Sequence, residues 1–459
     1  MTSGLKTSLE QTFDFQLNNN QYQEIARLFH EIHKRDNLSA EDIVQSFKEN
    51  EKINNSQGKN KFLAIKQSLI KLRFPLTSTE EKIKAQEVFL SELKAPVKPS
   101  IEPVKNFVPQ KIFIEKSAKN SYLAKQFQER FPSVPVEVLE HSWEYVQKHK
   151  FKIADLKNPF VFIVQERWDF IKPCPCTKGH LGCNYWILNL GFGCPFDCSY
   201  CYLQQYANFP GIVLPANLDD FFNKFDDFYN KIKRPIRIGT GEFCDSLALD
   251  HITGYSQQLI EFFQDKPVLF ELKTKSNNIA NILKCQGRKN IIISWSLNPQ
   301  EIIDSEEKCV ASLSERLEAA RQVKEKGFSL SFHFDPIIYS DNWASLYKEV
   351  IRELYAALDP EFKWISLGTL RGTRKLKNAA EQRFPDNAIW YGELLLGKDK
   401  KLRYPKFMRK SIYKYMVEWI RQFDSSTPLY LCMEDQDCWG QMDKPLTCER
   451  EVENYLLGN

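Results

Sequence analysis

The stretch YWILNLGFGCPFDCSYCYLQ, residues 185–204, decides how this chain is read. Its opening run is apolar and β-prone, and it passes directly into a glycine-containing loop carrying Cys194-x3-Cys198-x2-Cys201. Three thiolates on one short loop can ligate three irons of a four-iron, four-sulfur (4Fe-4S) cluster and leave the fourth iron open to a small molecule. A zinc knuckle is the alternative, but structural zinc takes four protein ligands and more often shows paired C-x2-C spacing. Phe192, Phe196 and Tyr200 suit a dry pocket around the thiols, although packing of the loop equally accounts for the two phenylalanines.

Working outward, short β-branched or aromatic runs alternate with helical patterns. They are VFIV at 161–164, IRIG at 236–239, VLFEL at 268–272, IIISWSL at 291–297, LSFHF at 330–334 and WISL at 364–367. Between the last strands, Ser312 reads as a helix cap, Leu313, Leu317 and Ala320 share a face, and Gly327 ends the helix. Alternation of this kind predicts parallel βα units, closing into a full or partial (β/α) barrel with its chemistry at the C-terminal strand ends. The cysteine loop then sits on the functional rim.

The first hundred residues read differently. Ile25, Leu28, Phe29 and Ile32 fall at helical spacing, and Ser39 to Asp42 forms a capping box ahead of Ile43, Val44 and Phe47. A helical domain over 1–95 is expected, then a proline-bearing linker over 96–110 that holds Pro96, Pro99, Pro103 and Pro109. An α/β segment (111–184), the barrel core (185–370) and a C-terminal region (371–459) complete the expected organisation.

Across 459 residues the formal charge is only +4, so any polyanion site must be regional. The start lacks a leader-like apolar run and no run of about 18 apolar residues follows, which points to a cytoplasmic protein with no membrane partner. Twelve cysteines in such a chain favour reduced thiols and metal ligation over disulfides.

C-x3-C-x2-C with an aromatic before the third cysteine resembles the radical S-adenosylmethionine superfamily. The resemblance narrows to the spore photoproduct lyase family, a DNA repair family. CSYCYLQ, KIFIEK at 111–116, ELKTKS at 271–276, SWSLN at 294–298 and SLSERLEAARQVKEKGFSLSFHFDPIIYSDNW match its segments in order. It implies a partial (β/α)6-type radical S-adenosylmethionine barrel with an added N-terminal helical domain. It further implies a 4Fe-4S cluster on Cys194, Cys198 and Cys201, S-adenosylmethionine as cofactor, and a donor such as flavodoxin or ferredoxin.

By the same resemblance, Lys275 and Ser296 contact S-adenosylmethionine, with Asn298 close by. The turn GTGEFCDSLALDH at 239–251 offers Gly241, Glu242, Asp245 and Ser246 to the cofactor. Tyr200 and Tyr202 match tyrosines of a hydrogen relay. One departure matters: counting back from Asp250-His251, the lyase's hydrogen-donating cysteine falls on Glu242, while Cys244 stands two residues further on. Either Cys244 substitutes through a shifted turn, or the substrate half of the reaction differs.

Other features compete for meaning. Cys174, Cys176 and Cys183 are candidate ligands for an auxiliary iron–sulfur cluster or zinc, alone or with Cys432, Cys438 and Cys448. The segment 397–414 carries eight basic residues against one acidic, interleaved with aromatics, and 371–377 adds four more. This makes Arg403, Tyr404, Lys406 and Arg409 candidates for nucleic-acid contact, against the plainer reading of a solvated helix face. The expected function is reductive cleavage of S-adenosylmethionine and hydrogen abstraction from nucleic acid. The alternatives are radical modification of a peptide, protein or small metabolite, and a zinc-bearing nucleic-acid adaptor.

Overall fold

The computed structural model describes residues 2–84, 87–98, 101–206 and 209–458; Pro99 of the expected linker lies outside them. The chain forms two compact units, Met1–Pro96 with Arg371–Pro405, and Val97–Leu370 with Lys406–Asn459.

The first unit is helical, as its apolar periodicity predicts. Ile25, Leu28, Phe29 and Ile32 of the helix Asn19–Asp36 are all buried, packing with Ile43, Val44, Ile65 and Leu69. The Ser39–Asp42 capping box is present, each residue's side chain accepting from the other's backbone N–H at 3.1 Å. Residues 371–405, expected within one C-terminal region, belong to this unit instead. They add a helix, Arg374–Arg383, and a small antiparallel sheet of Arg371–Thr373, Lys401–Arg403 and Leu395–Leu396. A buried charge cluster explains the attachment. Glu31 accepts from Arg27 Nε at 2.9 Å, Arg73 Nε at 2.8 Å and Lys377 Nζ at 2.8 Å. Burial alone would raise the Glu31 carboxyl, but Lys377, Arg73 and Arg27 hold it well below the usual carboxylate range.

Among the described residues, the second unit holds two larger sheets and one two-stranded ribbon. The smaller of the two sheets is parallel, in the order β2 (Val136–Leu139), β1 (Lys111–Glu115), β3 (Phe160–Val164), β7 (Ile212–Pro215). VFIV therefore lies outside the barrel sheet. The larger sheet contains the other strands read from the sequence: β5 (Trp186–Leu188), β8 (Arg237–Thr240), β9 (Leu269–Thr274), β10 (Ile291–Ser296), β12 (Ser329–Ile337) and β13 (Ile365–Thr369). These six parallel strands are extended by parallel β14 (Leu429–Leu431) at one edge and antiparallel β4 (Ile171–Pro173) at the other. An isolated bridge between Leu181 and Glu434 joins the segment after β4 to the segment after β14, so the sheet curls into a partial barrel. Its strands are buried along nearly their whole length, as parallel strands between helices must be.

The barrel interior is polar. Glu271 of β9 accepts from Ser294 and lies 2.8 Å from His333 Nε2, so His333 is a satisfied core residue. Among the described residues, no helix is long and apolar enough to cross a membrane.

Candidate active site

The cysteine loop leaves β5 at the C-terminal rim and is pinned from several sides. Gly193 adopts φ +92°, and a Cβ there would stand 2.8 Å from the Gly211 carbonyl oxygen, so the loop can hug β7 only with glycine at this position. Lys157 Nζ donates to the carbonyls of Cys194 at 2.9 Å and Phe196 at 2.7 Å. Gln204 Nε2 donates to the Cys198 carbonyl at 3.1 Å. Two short antiparallel strands, β6 (Asp197–Cys198) and β11 (Glu307–Lys308), then tie the loop to the chain beyond β10.

Glu307 is the hub of that tie. It is buried and accepts from the Tyr200 hydroxyl, from Asn298 Nδ2 at 2.9 Å and from Arg316 Nη2 at 2.6 Å. Burial opposes ionisation, but Arg316 and then Lys275 hold the carboxyl down to about 2. Arg316 is itself buried and donates to the carbonyls of Ala311 and Ser296 at 2.9 and 2.8 Å, anchoring the end of β10.

One cavity gathers the chemistry. Cys194, Cys198 and Cys201 line it together with Tyr200, Gly241, Glu242, Cys244, Asp245, Lys275 and Ser296, joined by Lys273 and Thr274 of β9. Burial raises all three thiols above their ordinary range, with Asp245 adding to the effect at Cys194 and Glu307 at Cys198. A metal bound there takes the thiolate form, so its binding releases these protons. Among the described residues, these three sulfurs are not all within 4.8 Å of one another. Thiolates on a single zinc would stand about 3.8 Å apart, so the spacing suits a cluster in which each sulfur takes a different iron.

The turn after β8 builds the facing wall. Gly241 adopts φ +96°, with a Cβ position only 2.9 Å from the Lys273 carbonyl oxygen. Asp245 is a clamp: Oδ1 accepts from Leu247 N at 3.0 Å, Ala248 N at 2.9 Å and Thr274 Oγ1 at 2.7 Å, and Oδ2 from Lys275 N at 2.8 Å. Glu242 lies 4.0 Å from Lys273 Nζ. Burial, then the Asp245 charge, pushes the Cys244 thiol up to about 12. Lys275 Nζ stands 3.9 Å from Glu307 and 5.8 Å from the centre of the Tyr200 ring.

Other expected site residues lie elsewhere. Ser246 pairs with Thr240 Oγ1 at 2.6 Å and accepts from Lys273 N at 3.1 Å, joining β8 to β9 outside the cavity lining. Asn298 sits behind the wall, accepting from Tyr347 at 2.8 Å while it donates to Glu307. Tyr202 is half-buried with its ring 5.9 Å from that of Tyr206, off the cavity. Cys174, Cys176 and Cys183 form a separate group between β4 and β5. Cys438 lies with Glu434 and Asp435, but those carboxylates already serve Arg409 and Lys406.

The basic segment is corrected most. Arg403 is buried against Asp399 at 2.7 Å, and Tyr404 is buried. Arg409 is buried against Glu434 at 2.9 Å. Lys406 alone of the four is not buried; it is half-buried and pairs with Asp435 at 2.8 Å and Asp437 at 2.7 Å. A charged side chain on a periodic helix looks solvated until its partner, distant in sequence, is known. Lys157, Lys273, Glu307 and Arg316 went unread for the same reason, although Lys273 sits in the matched ELKTKS segment.

Comparison with known proteins agrees with this geometry. The family model described as spore photoproduct lyase matches residues 107–427. The spore photoproduct lyase of Bacillus subtilis is 25% identical over 325 residues, covering 68% of this chain and 91% of that protein. That of Clostridium acetobutylicum is 26% identical over 236 residues, covering 51% of this chain and 68% of that protein. Among solved structures, spore photoproduct lyase complexed with dinucleoside spore photoproduct superposes with TM-score 0.62 at 23% identity, over 72% of this chain and all of that one. The cysteine loop on a curled parallel sheet and the matched span together place this chain in the spore photoproduct lyase family, and with it among the radical S-adenosylmethionine enzymes.

Proposed function

We propose that this enzyme binds a 4Fe-4S cluster through Cys194, Cys198 and Cys201, binds S-adenosylmethionine beside it, and repairs a photolesion in nucleic acid. The observation that carries this reading is the single cavity shared by the three thiols, the β8 turn, Lys275 and Cys244. When bound, cluster and cofactor together supply a 5′-deoxyadenosyl radical after one-electron reduction by a donor such as flavodoxin or ferredoxin.

The chain's own groups then divide the work. Lys275, at the end of β9, is placed to pair with the cofactor carboxylate, and Glu242 and the Gly241 backbone to receive its ammonium. Ser296 offers a hydroxyl to the ribose. Tyr200 holds the loop through Glu307 and acts as a positioning residue. Cys244 takes the hydrogen-donor role: its S–H bond breaks homolytically as a C–H bond forms on the substrate radical, a transfer that a carboxyl at Glu242 does not provide. Burial keeps that thiol protonated at neutral pH, as the role requires.

DNA-derived substrate is supported by an adjoining groove, which Phe196 also borders. Lys105 and Arg130 line it with His251, Asn277 and Asn278, giving two cations for phosphates and amides for bases. Glu242 inside the cavity favours one second reading, a radical reaction on a different substrate carrying a positive group.

Anaerobic turnover with reductant, S-adenosylmethionine and a dinucleotide photolesion tests the proposal. Wild type is expected to release 5′-deoxyadenosine and restored thymidine. Cys244→Ala should still release 5′-deoxyadenosine while restoring at least about tenfold less product. Equal restoration by the variant would remove Cys244 from the mechanism, and a wild type that cleaves the cofactor without repair would favour the second reading.

A further inference from the structure

A second set of cysteines lies outside the cavity, where the two edges of the curled sheet approach. Cys174 continues the β4–β5 ladder, its N–H donating to the Tyr185 carbonyl at 2.9 Å. Cys176 N donates to the Cys174 carbonyl at 2.8 Å, and the two thiols are hydrogen-bonded to each other. The Cys176 sulfur also packs by Gly182, 3.9 Å from where a Cβ would stand, which brings it to the segment carrying Cys183.

The fourth cysteine comes from across the seam. Leu181 N donates to the Glu434 carbonyl at 2.9 Å in an antiparallel bridge. Cys432, at the end of β14 and two residues before Glu434, is thereby carried to the same seam as the segment holding Cys183. Both of these thiols lie close enough to the Tyr430 hydroxyl to act on its charge.

A buried cation faces this group. Arg237 is 1% exposed, and none of its three guanidinium nitrogens makes a hydrogen bond of ordinary geometry. It stacks instead among Trp364 at 4.0 Å, Tyr185 at 5.3 Å and Tyr430 at 5.3 Å, within reach of the Cys183 thiol. A buried guanidinium so placed is costly unless an anion stands beside it. Glu271 supplies one such charge from the barrel interior, and thiolates on a metal centre at the seam would supply another on the Cys183 side.

The sulfur spacing selects the centre. Among the described residues, no three of these sulfurs lie within 4.8 Å of one another, too open for one zinc, whose thiolates stand about 3.8 Å apart. Beyond the hydrogen-bonded Cys174–Cys176 pair the set opens out, as it does where sulfurs take different irons. We propose that Cys174, Cys176, Cys183 and Cys432 hold a second iron–sulfur cluster, seated against Arg237 and closing the seam between the β4–β5 segment and the end of β14.

The test uses full-length protein with Cys194→Ala, Cys198→Ala and Cys201→Ala, reconstituted anaerobically with ferrous iron and sulfide. It is expected to keep iron, acid-labile sulfide and visible charge-transfer absorption, and to lose all three when Cys174→Ala and Cys183→Ala are added. Absence of iron and sulfide from the first variant with a wild-type far-UV spectrum overturns the proposal, as does stoichiometric zinc in their place. If the first variant does not fold, Cys174→Ala with Cys183→Ala in an otherwise intact chain decides. Its iron content is expected to fall by about a third to a half. Iron equal to wild type overturns the proposal.

Discussion

Glu307 carries more of the candidate site than any residue that faces the cavity openly. It receives Tyr200 from the cysteine loop, Asn298 from the end of β10 and Arg316 from the following helix, so three elements meet on one carboxylate. Its folded state titrates at about 2, below the ordinary 4.5, so its stabilisation is present at neutral pH and is lost as pH falls through 4.5 towards about 2. Urea unfolding from pH 7 to pH 3 should show wild type losing up to about 2 kcal/mol that Glu307→Gln lacks throughout. Parallel curves for the two proteins would refute the assignment. Gly241 belongs to the same scale. Its φ of +96° and a Cβ position 2.9 Å from the Lys273 carbonyl predict that Gly241→Ala weakens S-adenosylmethionine binding about tenfold or more in equilibrium dialysis. An unchanged dissociation constant would show that the turn does not shape the cofactor site.

The helix Lys406–Arg421 shows how an element's surface character can mislead. Its basic residues suggested a polyanion face, yet Arg409 and Tyr413 both point inward to Glu434, at 2.9 and 2.8 Å. Removing one partner of a buried pair leaves the other charged and unsolvated. Arg409→Ala should therefore destabilise the fold by about 3–5 kcal/mol in denaturant unfolding, with oligonucleotide affinity of the folded protein unchanged. A stable variant with weakened oligonucleotide binding would restore the original reading. The strands were far more legible than this helix. IIISWSL and LSFHF announce themselves because a strand buried on both faces is apolar throughout, whereas LYL of β14 is too short to stand out.

At the scale of the whole molecule, the helical unit is built from two segments far apart in sequence, Met1–Pro96 and Arg371–Pro405. Glu31 of the first holds Lys377 of the second, and Leu395 packs in the first segment's core. A chain lacking residues 1–96 would strip Lys377 of Glu31, leaving it only Glu381 at 3.7 Å, and would leave that apolar surface open. It is expected to bind a hydrophobic dye and lose secondary structure from 371–405; a well-folded, dye-free truncation would contradict this. The sequence alone determined the partial barrel, the cysteine loop and the family resemblance, because strand periodicity, thiol spacing and turn glycines are local signals. Only the tertiary structure decided that Glu307 and Arg316 hold the site, that Arg403 and Arg409 are interior, that residues 371–405 join the helical unit, and that Leu181 bridges to Glu434. Each of these depends on a partner dozens to hundreds of residues away, and the worth of a charge or thiol is set by that partner and by burial.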